Sequence, residues 1–440
     1  MKTATDLHGH DLSGASAGAR DHYERAVGLF RLYSGDPLAA ADAALAESPG
    51  FAMAHLLKAW LNLLGTEPAG IDAARAAHAA AMPHCRTARE LGHLAAVGHL
   101  VEGRWHAAGQ AVLRASTDHP HDLLALQVGH QIDFFTGNAR LLRDRIARAL
   151  PEWSPDMPGY HALLGMHAFG LEEMGDYGRA ETAGRRAVEL EPRDGWAQHA
   201  VAHVLEMQGR TGEGIAWMRG NPDAWSRDSF FAVHNWWHLA LYHLDHGETA
   251  EVLRLFDGPI FGTRSAVAMD LLDAAALLWR LHLRGEPVGG RWTAVADNWQ
   301  AFASAGNYAF NDAHAVMAFV GAGRPERIAE VIDAQDRAMA GAGDNARFTR
   351  EVGRPVVLGL KAFGDGDHAG CIAAIQPVIP IANRFGGSHA QRDLLDLTVM
   401  EAAFRLPDPS LARAITAERR ALKPDSPHAR SMFDRARALP

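Results

Sequence analysis

The amino-acid sequence predicts an all-α fold, built as a single array of helical repeats (an α-solenoid). The first observation is a period. Glycines that separate one helical pattern from the next lie at Gly35, Gly65, Gly103, Gly137, Gly175, Gly209, Gly247, Gly285, Gly323 and Gly366, and most of the intervals are 34 or 38 residues. The second is composition, since 48% apolar and 22% charged residues indicate a helical protein with a substantial core. The period-two alternation typical of strands is absent.

The repeated units share a local pattern that predicts degenerate tetratricopeptide-like repeats. In residues 174–204, MGDYGRAETAGRRAVELEPRDGWAQHAVAHV, a turn glycine precedes a helix with small residues, and a proline breaks the chain before the next helix. Small residues let helix axes approach closely, and a period near 34 residues is typical of stacked helix pairs wound into a superhelix. An irregular helical bundle is the alternative, although the period holds over nine intervals.

The array is expected to cover residues 21–405. Residues 1–20 are predicted to be a flexible N-terminal arm, because they precede the first repeat. Residues 406–440 are predicted to form capping helices, interrupted at Pro407, Pro409, Pro424 and Pro427.

Charge and cysteine content exclude several classes of function. The net charge is −9 and no run of Lys and Arg alternates with aromatic residues, so nucleic acid is not an expected partner. Only Cys85 and Cys371 occur, which predicts no disulfide framework. No stretch of about 18 apolar residues occurs, since even AVAMDLLDAAALLWRL contains Asp270, Asp273 and Arg280. We therefore expect a cytoplasmic protein with no membrane partner; homo-oligomerisation stays open.

Polar residues concentrate on two successive predicted helices between Asp194 and Leu255. They are His199, His203, Glu206, His234, Asn235, His238 and Tyr242. Counted back from the turn glycines, the four histidines and His314 fall within an arc of about 100° on the first helix of successive units. First helices line the concave surface of such arrays, so the histidines are predicted to face a common pocket. The alternative is that each histidine is satisfied separately in the core.

The pocket is predicted to bind a small molecule or to catalyse a reaction by acid–base chemistry. His203 and His238 are the candidates for general acid and base, with Glu206 and Asp312 orienting them. Arg392 is expected to hold an anionic group of the ligand. The predicted substrate-binding residues are His199, His234, Asn235, Tyr242, His314, Ser388, Gln391, Arg392 and Asp393.

A metal ion is a further alternative for the same histidines. The segments HAVAH and HNWWH place His199, His203, His234 and His238 in pairs four residues apart, and four imidazoles could bind zinc or another divalent metal. No HExxH motif or carboxylate-rich Glu-x-x-His pair supports this, so no cofactor is predicted by default.

Two later segments could complete the pocket. In FGGSHAQRDLLDL, residues 385–397, Ser388 is a predicted N-cap, and the free backbone N–H groups of that helix start would suit a carboxylate or phosphate. The alternative is a plain turn in which Arg392 pairs with Asp393 or Asp396. In FNDAHAVMAF, Asp312 lies near a predicted helix start, where a carboxylate is also favourable.

Four segments of the chain resemble the tetratricopeptide-repeat protein thirty-eight family: HAVAHVLEMQGR, HNWWHLALYHLDHG, NDAHAVMAF and GGSHAQRD. The resemblance runs from about Tyr23 to Leu406. It implies a degenerate tetratricopeptide superhelix, and it implies no activity, cofactor or substrate. The family's motif positions correspond here to His199, His203, Glu206, His234, Asn235, His238, Asp312, His314, Ser388, Gln391, Arg392 and Asp393.

The sequence is therefore compatible with three functions. The first is an enzyme or small-molecule binder with a His-rich inner pocket. The second is a scaffold that binds a peptide or protein partner in its groove, although such grooves generally use Lys, Arg and Asn for peptide carboxylates. The third is a metalloprotein with histidine ligands.

Overall fold

The computed structural model describes residues 4–440, and helices form most of them. The predicted all-α helical-repeat fold is confirmed. The chain divides into two compact units. Unit 1 contains the residues up to Val201 together with Asp223–Ala232, and unit 2 contains Ala202–Pro222 and Val233–Pro440.

Unit 1 is built from consecutive helical hairpins. Its helices are α1 (Ala17–Arg31), α2 (Pro37–Glu47), α3 (Ala52–Leu64), α4 (Pro68–Ala81), α5 (Ala88–Val101), α6 (Trp105–Asp118), α7 (Leu123–Phe135), α8 (Ala139–Ala149), α9 (Tyr160–Glu172), α10 (Tyr177–Leu190) and the first half of α11 (Gly195–Met207). Each odd-numbered helix from α1 to α9 packs on the next helix. Two short antiparallel strands, β1 (Ala4–Thr5) and β2 (Asp11–Leu12), precede α1.

Unit 2 continues the same pattern with more irregular turns. Its helices are the second half of α11, α12 (Thr211–Gly220), α14 (Ala232–Asp245), α15 (Thr249–Leu255), α16 (Ala268–Leu283), α17 (Arg291–Trp299), α18 (Ala309–Gly321), α19 (Pro325–Met339), α20 (Asp344–Phe348), α21 (Arg354–Gly364), α22 (His368–Ile375), α23 (His389–Phe404), α24 (Ser410–Leu422) and α25 (Pro427–Arg437). The short helix α13 (Pro222–Ser226) has all but its first residue in unit 1. The unit boundaries fall inside α11, α13 and α14. Short 3₁₀ or π segments lie at Leu150–Glu152 in unit 1 and at Phe256–Ile260, Gln300–Phe302, Thr349–Gly353 and Gln376–Phe385 in unit 2.

The predicted turn glycines end the helices as expected. All of them except Gly65 have a positive φ, from 58° at Gly35 to 80° at Gly175 and Gly366. Glycine adopts this left-handed conformation at little cost because it lacks a Cβ atom. At the exception, Gly65 keeps a helical φ of −71° and Thr66 takes the left-handed position instead, with a φ of 57°.

Three helices of unit 2 are buried on nearly all sides. In α16, 13 of 16 residues are buried, and in α18 the buried residues are 11 of 13. A helix that is apolar all round belongs to an interior layer. Helix α16 packs on α18 and on α23, where Trp279 Nε1 donates to Thr398 Oγ1 at 2.9 Å. First helices of distant hairpins therefore meet inside unit 2.

The ends of the chain are also folded in the described residues. Residues 6–16 belong to the stretch predicted as a flexible arm, yet Asp6 lies 3.2 Å from Nη1 of Arg89 and Ser13 donates to Glu90. Ser16 caps α1, which begins at Ala17. Residues 1–3 lie outside the described residues. The limits of the repeat array, 21–405, and of the capping segment, 406–440, stay predictions. Helices α24 and α25 lie in the capping segment.

Candidate functional site

Three histidines form the centre of a buried polar cluster in unit 2. His203 lies on the second half of α11, and His234 and His238 lie one turn apart on α14. The ring centroids of His203 and His238 are 4.4 Å apart, and those of His234 and His238 are 4.9 Å apart. All three side chains are buried, and each offers a ring nitrogen within 4.8 Å of those of the other two.

Two carboxylates contact two of these rings. Asp273, on α16, places its Oδ2 atom 2.9 Å and its Oδ1 atom 3.0 Å from Nδ1 of His234. Glu206 places Oε2 3.3 Å from Nδ1 of His238. The contact between Glu206 and His238 lacks hydrogen-bond geometry. Asp273 does bond His234, and because an ionised carboxylate only accepts hydrogen bonds, Nδ1 of His234 is the donor in that pair. The neutral tautomer with its proton on Nδ1 is the one in which Nε2 can bind a cation.

Burial keeps the imidazoles of His203 and His238 neutral. It holds the pKa of His203 well below its ordinary value, and the neighbouring charge of His238 acts in the same direction. The pKa of His238 is also well below its ordinary value, first through burial and then through the nearby charges of His234 and Arg280. A neutral imidazole is the form that accepts a proton or binds a metal ion.

A buried arginine on α16 lies among these groups. Arg280 is 4% exposed, and its guanidinium stacks 5.3 Å from the ring centre of Trp237. It donates hydrogen bonds to the backbone oxygens of Ala390 at 2.6 Å and Ala276 at 3.3 Å. Arg280 therefore ties α16 to the start of α23 beside the histidines.

The remaining predicted residues of α14 have other environments. Tyr242 donates its hydroxyl to the backbone oxygen of Ala202 at 2.6 Å, and burial raises its pKa well above the ordinary value. Asn235 is fully buried on the same helix. Tyr242 and Glu206 also line a small cavity of about 50 Å³ together with Arg280, so the carboxylate of Glu206 connects this cavity with His238.

The two predicted residues on α18 have hydrogen-bond partners other than the three histidines. Asp312 was expected to orient an imidazole, but it accepts a hydrogen bond from Gln335 Nε2 at 3.1 Å. The carboxylate on His234 is Asp273 instead. Burial raises the pKa of Asp312 to about 7. His314 hydrogen-bonds the backbone oxygen of Phe310 at 2.9 Å, and burial lowers its pKa to about 4.

The predicted residues at the start of α23 mainly build the helix end. Ser388 is confirmed as the N-cap, and it forms a capping box in which Gln391 accepts from the backbone N–H of Ser388 at 3.0 Å. Arg392 donates to the backbone oxygen of Gly387. Asp393 forms a bidentate pair with Arg419, at 2.8 and 3.0 Å. The structure thus gives Arg392 a local partner in the turn where an anionic ligand was expected.

His199 belongs to unit 1. Its ring packs against Phe169, Trp196 and Phe231, with centroid distances of 5.1 to 5.2 Å. The side chain is 2% exposed. Of the four histidines predicted as metal ligands, His203, His234 and His238 belong to unit 2.

Sequence reasoning missed Asp273 and Arg280, the two charged residues of α16 that face the cluster. A signal was available, because charged residues are rarely buried without a reason in an otherwise apolar helix. The two residues are seven positions apart, which places them on one face of a helix. The identity of their partners could not be read from the sequence.

No protein-family model matches the chain. Among solved structures, the chain is similar to one in the structure of Naa15/Naa10 bound to HypK-THB. The match has 11% sequence identity and a TM-score of 0.26, and it covers 96% of this chain and 66% of that chain. Within residues 4–440, no helix combines the length and apolar character needed to cross a bilayer.

Proposed function

We propose that unit 2 binds a divalent transition-metal ion through His203, His234 and His238 and uses it in chemistry on a small molecule. The observation that carries this proposal is the pair of carboxylate–histidine contacts, Asp273 with His234 and Glu206 with His238. Histidine ligands of metals almost always donate their second nitrogen to a carboxylate, a backbone carbonyl or water, which fixes the ring and raises its basicity.

The donor spacing also supports a metal ion. Nitrogens bound tetrahedrally to zinc at about 2.0–2.1 Å are roughly 3.3 Å from one another. The ring nitrogens of the three histidines are within 4.8 Å of one another, so small side-chain rotations would bring them into this range. Imidazole is a good ligand for zinc, copper, iron and nickel.

Where a protein supplies three ligands to zinc, the fourth position is open to water or substrate, as in catalytic zinc sites. A metal ion there would act as a Lewis acid. Glu206 is 12% exposed and lines the cavity beside the cluster. Its carboxylate could therefore accept a proton from a molecule in the cavity. Acid–base catalysis by Glu206 belongs to this proposal; His238 is assigned to the metal ion, and Asp312 has no part in it.

A peptide-binding groove is less well supported in unit 2. Such a groove requires the inner helices to present exposed side chains to the partner. Helices α16, α18 and α23 instead bury most of their residues against one another and their neighbours. We therefore propose a small ligand in preference to a peptide.

The proposal is tested by measuring metal content in protein purified without a histidine tag. We expect about one equivalent of zinc per chain after reconstitution and dialysis, and we expect His238→Ala and His234→Ala to reduce it to a small fraction. Substitution by cobalt(II) provides a second readout, because its visible absorption reports tetrahedral coordination. Far less than one equivalent of either metal in the wild-type protein would refute the site.

His243→Ala is the matched control. His243 lies on the same helix, α14, is buried, and contacts a carboxylate of its own, Glu248, together with Arg219. It is not one of the three proposed ligands. Its variant should bind metal like the wild type, and equal losses in His243→Ala and His238→Ala would mark the loss as a general effect of truncating a buried histidine.

Membership of the tetratricopeptide-repeat protein thirty-eight family belongs to this proposal and is supported by the four segments that resemble it. A cytoplasmic location and homo-oligomerisation also stay predictions. Size-exclusion chromatography with light scattering would test the second of these directly.

A further inference from the structure

A second cavity of unit 2 is lined by residues of α16, α23 and α25, including Arg280. Its volume is about 180 Å³. For comparison, an engineered apolar cavity of about 150 Å³ binds benzene. Arg280 and Arg284 line this cavity and also the smaller one beside Glu206. The space is therefore large enough for a small organic molecule.

The two arginines carry charges that no carboxylate neutralises directly. Arg284 lies one turn after Arg280 on α16 and donates to the backbone oxygen of Leu244. Arg280 donates only to the backbone oxygens of Ala276 and Ala390. In residues 4–440, no carboxylate lies within ion-pair distance of either guanidinium. The carboxylates of Asp393, Glu206 and Asp273 act on Arg280, and those of Asp245 and Glu286 act on Arg284, from beyond ion-pair distance. A buried cation with counter-ions this remote is costly, so an anion in direct contact would stabilise the pair.

Other cations around the cavity differ in this respect. Arg435 also lines it but is paired with Glu401, with Nη1 2.9 Å from Oε2. Arg419, which lines the smaller cavity, is paired with Asp393. The unpaired positive charge is therefore concentrated at Arg280 and Arg284, one turn apart, where two guanidiniums can hold the oxygens of a single carboxylate or phosphate.

The rest of the lining is mixed: Glu401, which pairs with Arg435, and His428 are polar, and four side chains are apolar. The apolar ones are Leu283, Leu397, Met400 and Met432, and methionine side chains adapt to ligands of irregular shape. An apolar wall opposite two cations fits a molecule with an apolar body and one anionic group. Hydrated inorganic ions would leave this wall without a partner.

We infer that this cavity binds a small organic anion, with its carboxylate or phosphate group at Arg280 and Arg284 and its apolar body against Leu397, Met400 and Met432. The inference does not require a metal ion at the histidines. It moves the anion-binding role that the sequence suggested for Arg392 to two residues of α16.

The test is isothermal titration calorimetry on the full chain after treatment with EDTA, so that failure of the metal proposal does not affect it. The probes are benzoate and phenyl phosphate, with neutral benzamide as the comparison. We expect at least one of the anions to bind, and benzamide to bind about tenfold more weakly or not at all, since each hydrogen bond to a charged group contributes at least about a factor of ten.

Two variants locate the binding. Arg284→Gln keeps an N–H donor for Leu244 but removes the charge, and Met432→Trp fills the cavity without changing any charge. Each should weaken anion binding about tenfold or more. Arg254→Gln is the matched control, because Arg254 is an exposed arginine of unit 2 that pairs with Glu251 away from the cavity. It should bind like the wild type.

The inference is overturned if neither anion binds at about 10 mM, if benzamide binds as tightly as the anions, or if either Arg284→Gln or Met432→Trp retains wild-type affinity. Circular dichroism spectra identical to that of the wild type establish that each variant is folded. If Arg284→Gln does not fold, the probe comparison and Met432→Trp still decide the outcome.

Discussion

Asp273 and His234 form a hydrogen-bonded pair between α16 and α14, with Oδ2 of Asp273 2.9 Å from Nδ1 of His234. The two residues are 39 positions apart in the chain and both are buried. A carboxylate in this position fixes the orientation of the ring and leaves Nε2 directed away from α16. The pair therefore determines which atom of His234 faces the other two histidines.

The first prediction concerns Asp273→Asn. The amide can still accept the Nδ1 proton, but it lacks the charge that raises the basicity of the ring, so zinc affinity should fall by about 10-fold to 100-fold. Competition with a chromophoric chelator measures this change. Asp270→Asn, one turn earlier on α16, makes the same substitution outside the contact and should keep the wild-type affinity. Equal affinities of all three proteins would show that Asp273 does not support a metal ligand.

The second prediction concerns pH. Burial raises the pKa of Asp312 to about 7, whereas its ordinary value is 3.8. Between about pH 4 and pH 7 the carboxyl of Asp312 is protonated in the folded state and ionised in the unfolded state. The free energy of unfolding therefore falls as pH rises through this window. The contribution of Asp312 to this fall is about 4 kcal/mol.

Asp312→Asn should remove this contribution, because an amide does not titrate and still accepts from Gln335. Urea unfolding at several pH values gives the difference in free energy between the two proteins. That difference should change in favour of the variant as pH rises. A constant difference between about pH 4 and pH 7 would mean that Asp312 titrates at an ordinary pKa in the folded protein.

The third prediction separates structure from ligand binding at Tyr242. Its hydroxyl donates to Ala202 at 2.6 Å, and the aromatic ring packs where a side chain at Gly214 would otherwise lie. Tyr242→Phe should lower the free energy of unfolding by about 1 kcal/mol and leave zinc binding unchanged. Denaturant unfolding and metal analysis on the same sample measure both effects. A loss of metal without a loss of stability would contradict the structural role.

The fourth prediction tests the turn that defines the repeat. Gly247 has a φ of 75°, and a Cβ atom there would meet no other atom within 4 Å. Gly247→Ala should therefore cost about 1–2 kcal/mol through backbone strain alone. Gly212, in α12, is equally open but has no positive φ. Gly212→Ala should be neutral or stabilising by up to about 1 kcal/mol. In thermal unfolding, the melting temperature of Gly247→Ala should fall, whereas that of Gly212→Ala should stay the same or rise.

The architecture was readable from the sequence because the repeat is encoded locally. A glycine at a fixed interval ends a helix wherever the backbone needs a positive φ, and nothing distant has to be known. The exception at Gly65 is also local, since the left-handed residue is its neighbour Thr66. The two short strands near the N-terminus had no such signal, because two residues per strand are too few for a periodic pattern.

The candidate site was readable only in part. Helical phase placed His203, His234 and His238 on corresponding faces, and their rings lie together in unit 2. The position of a histidine on its helix does not predict which residue, distant in the chain, will form a hydrogen bond with it. Asp312 has the right residue type but reaches Gln335, while Asp273 reaches His234 from a helix that the sequence marks mainly as apolar.

The contacts of α16 have a consequence for biosynthesis. Arg280 donates to Ala390, a residue 110 positions later, and Trp279 donates to Thr398, 119 positions later. Before α23 has been synthesised, α16 carries a large apolar surface, and the acceptor of Arg280 at Ala390 does not yet exist. Nascent chains that stop before α23 should therefore be chaperone clients and protease substrates, and a premature stop codon in this interval should yield little protein.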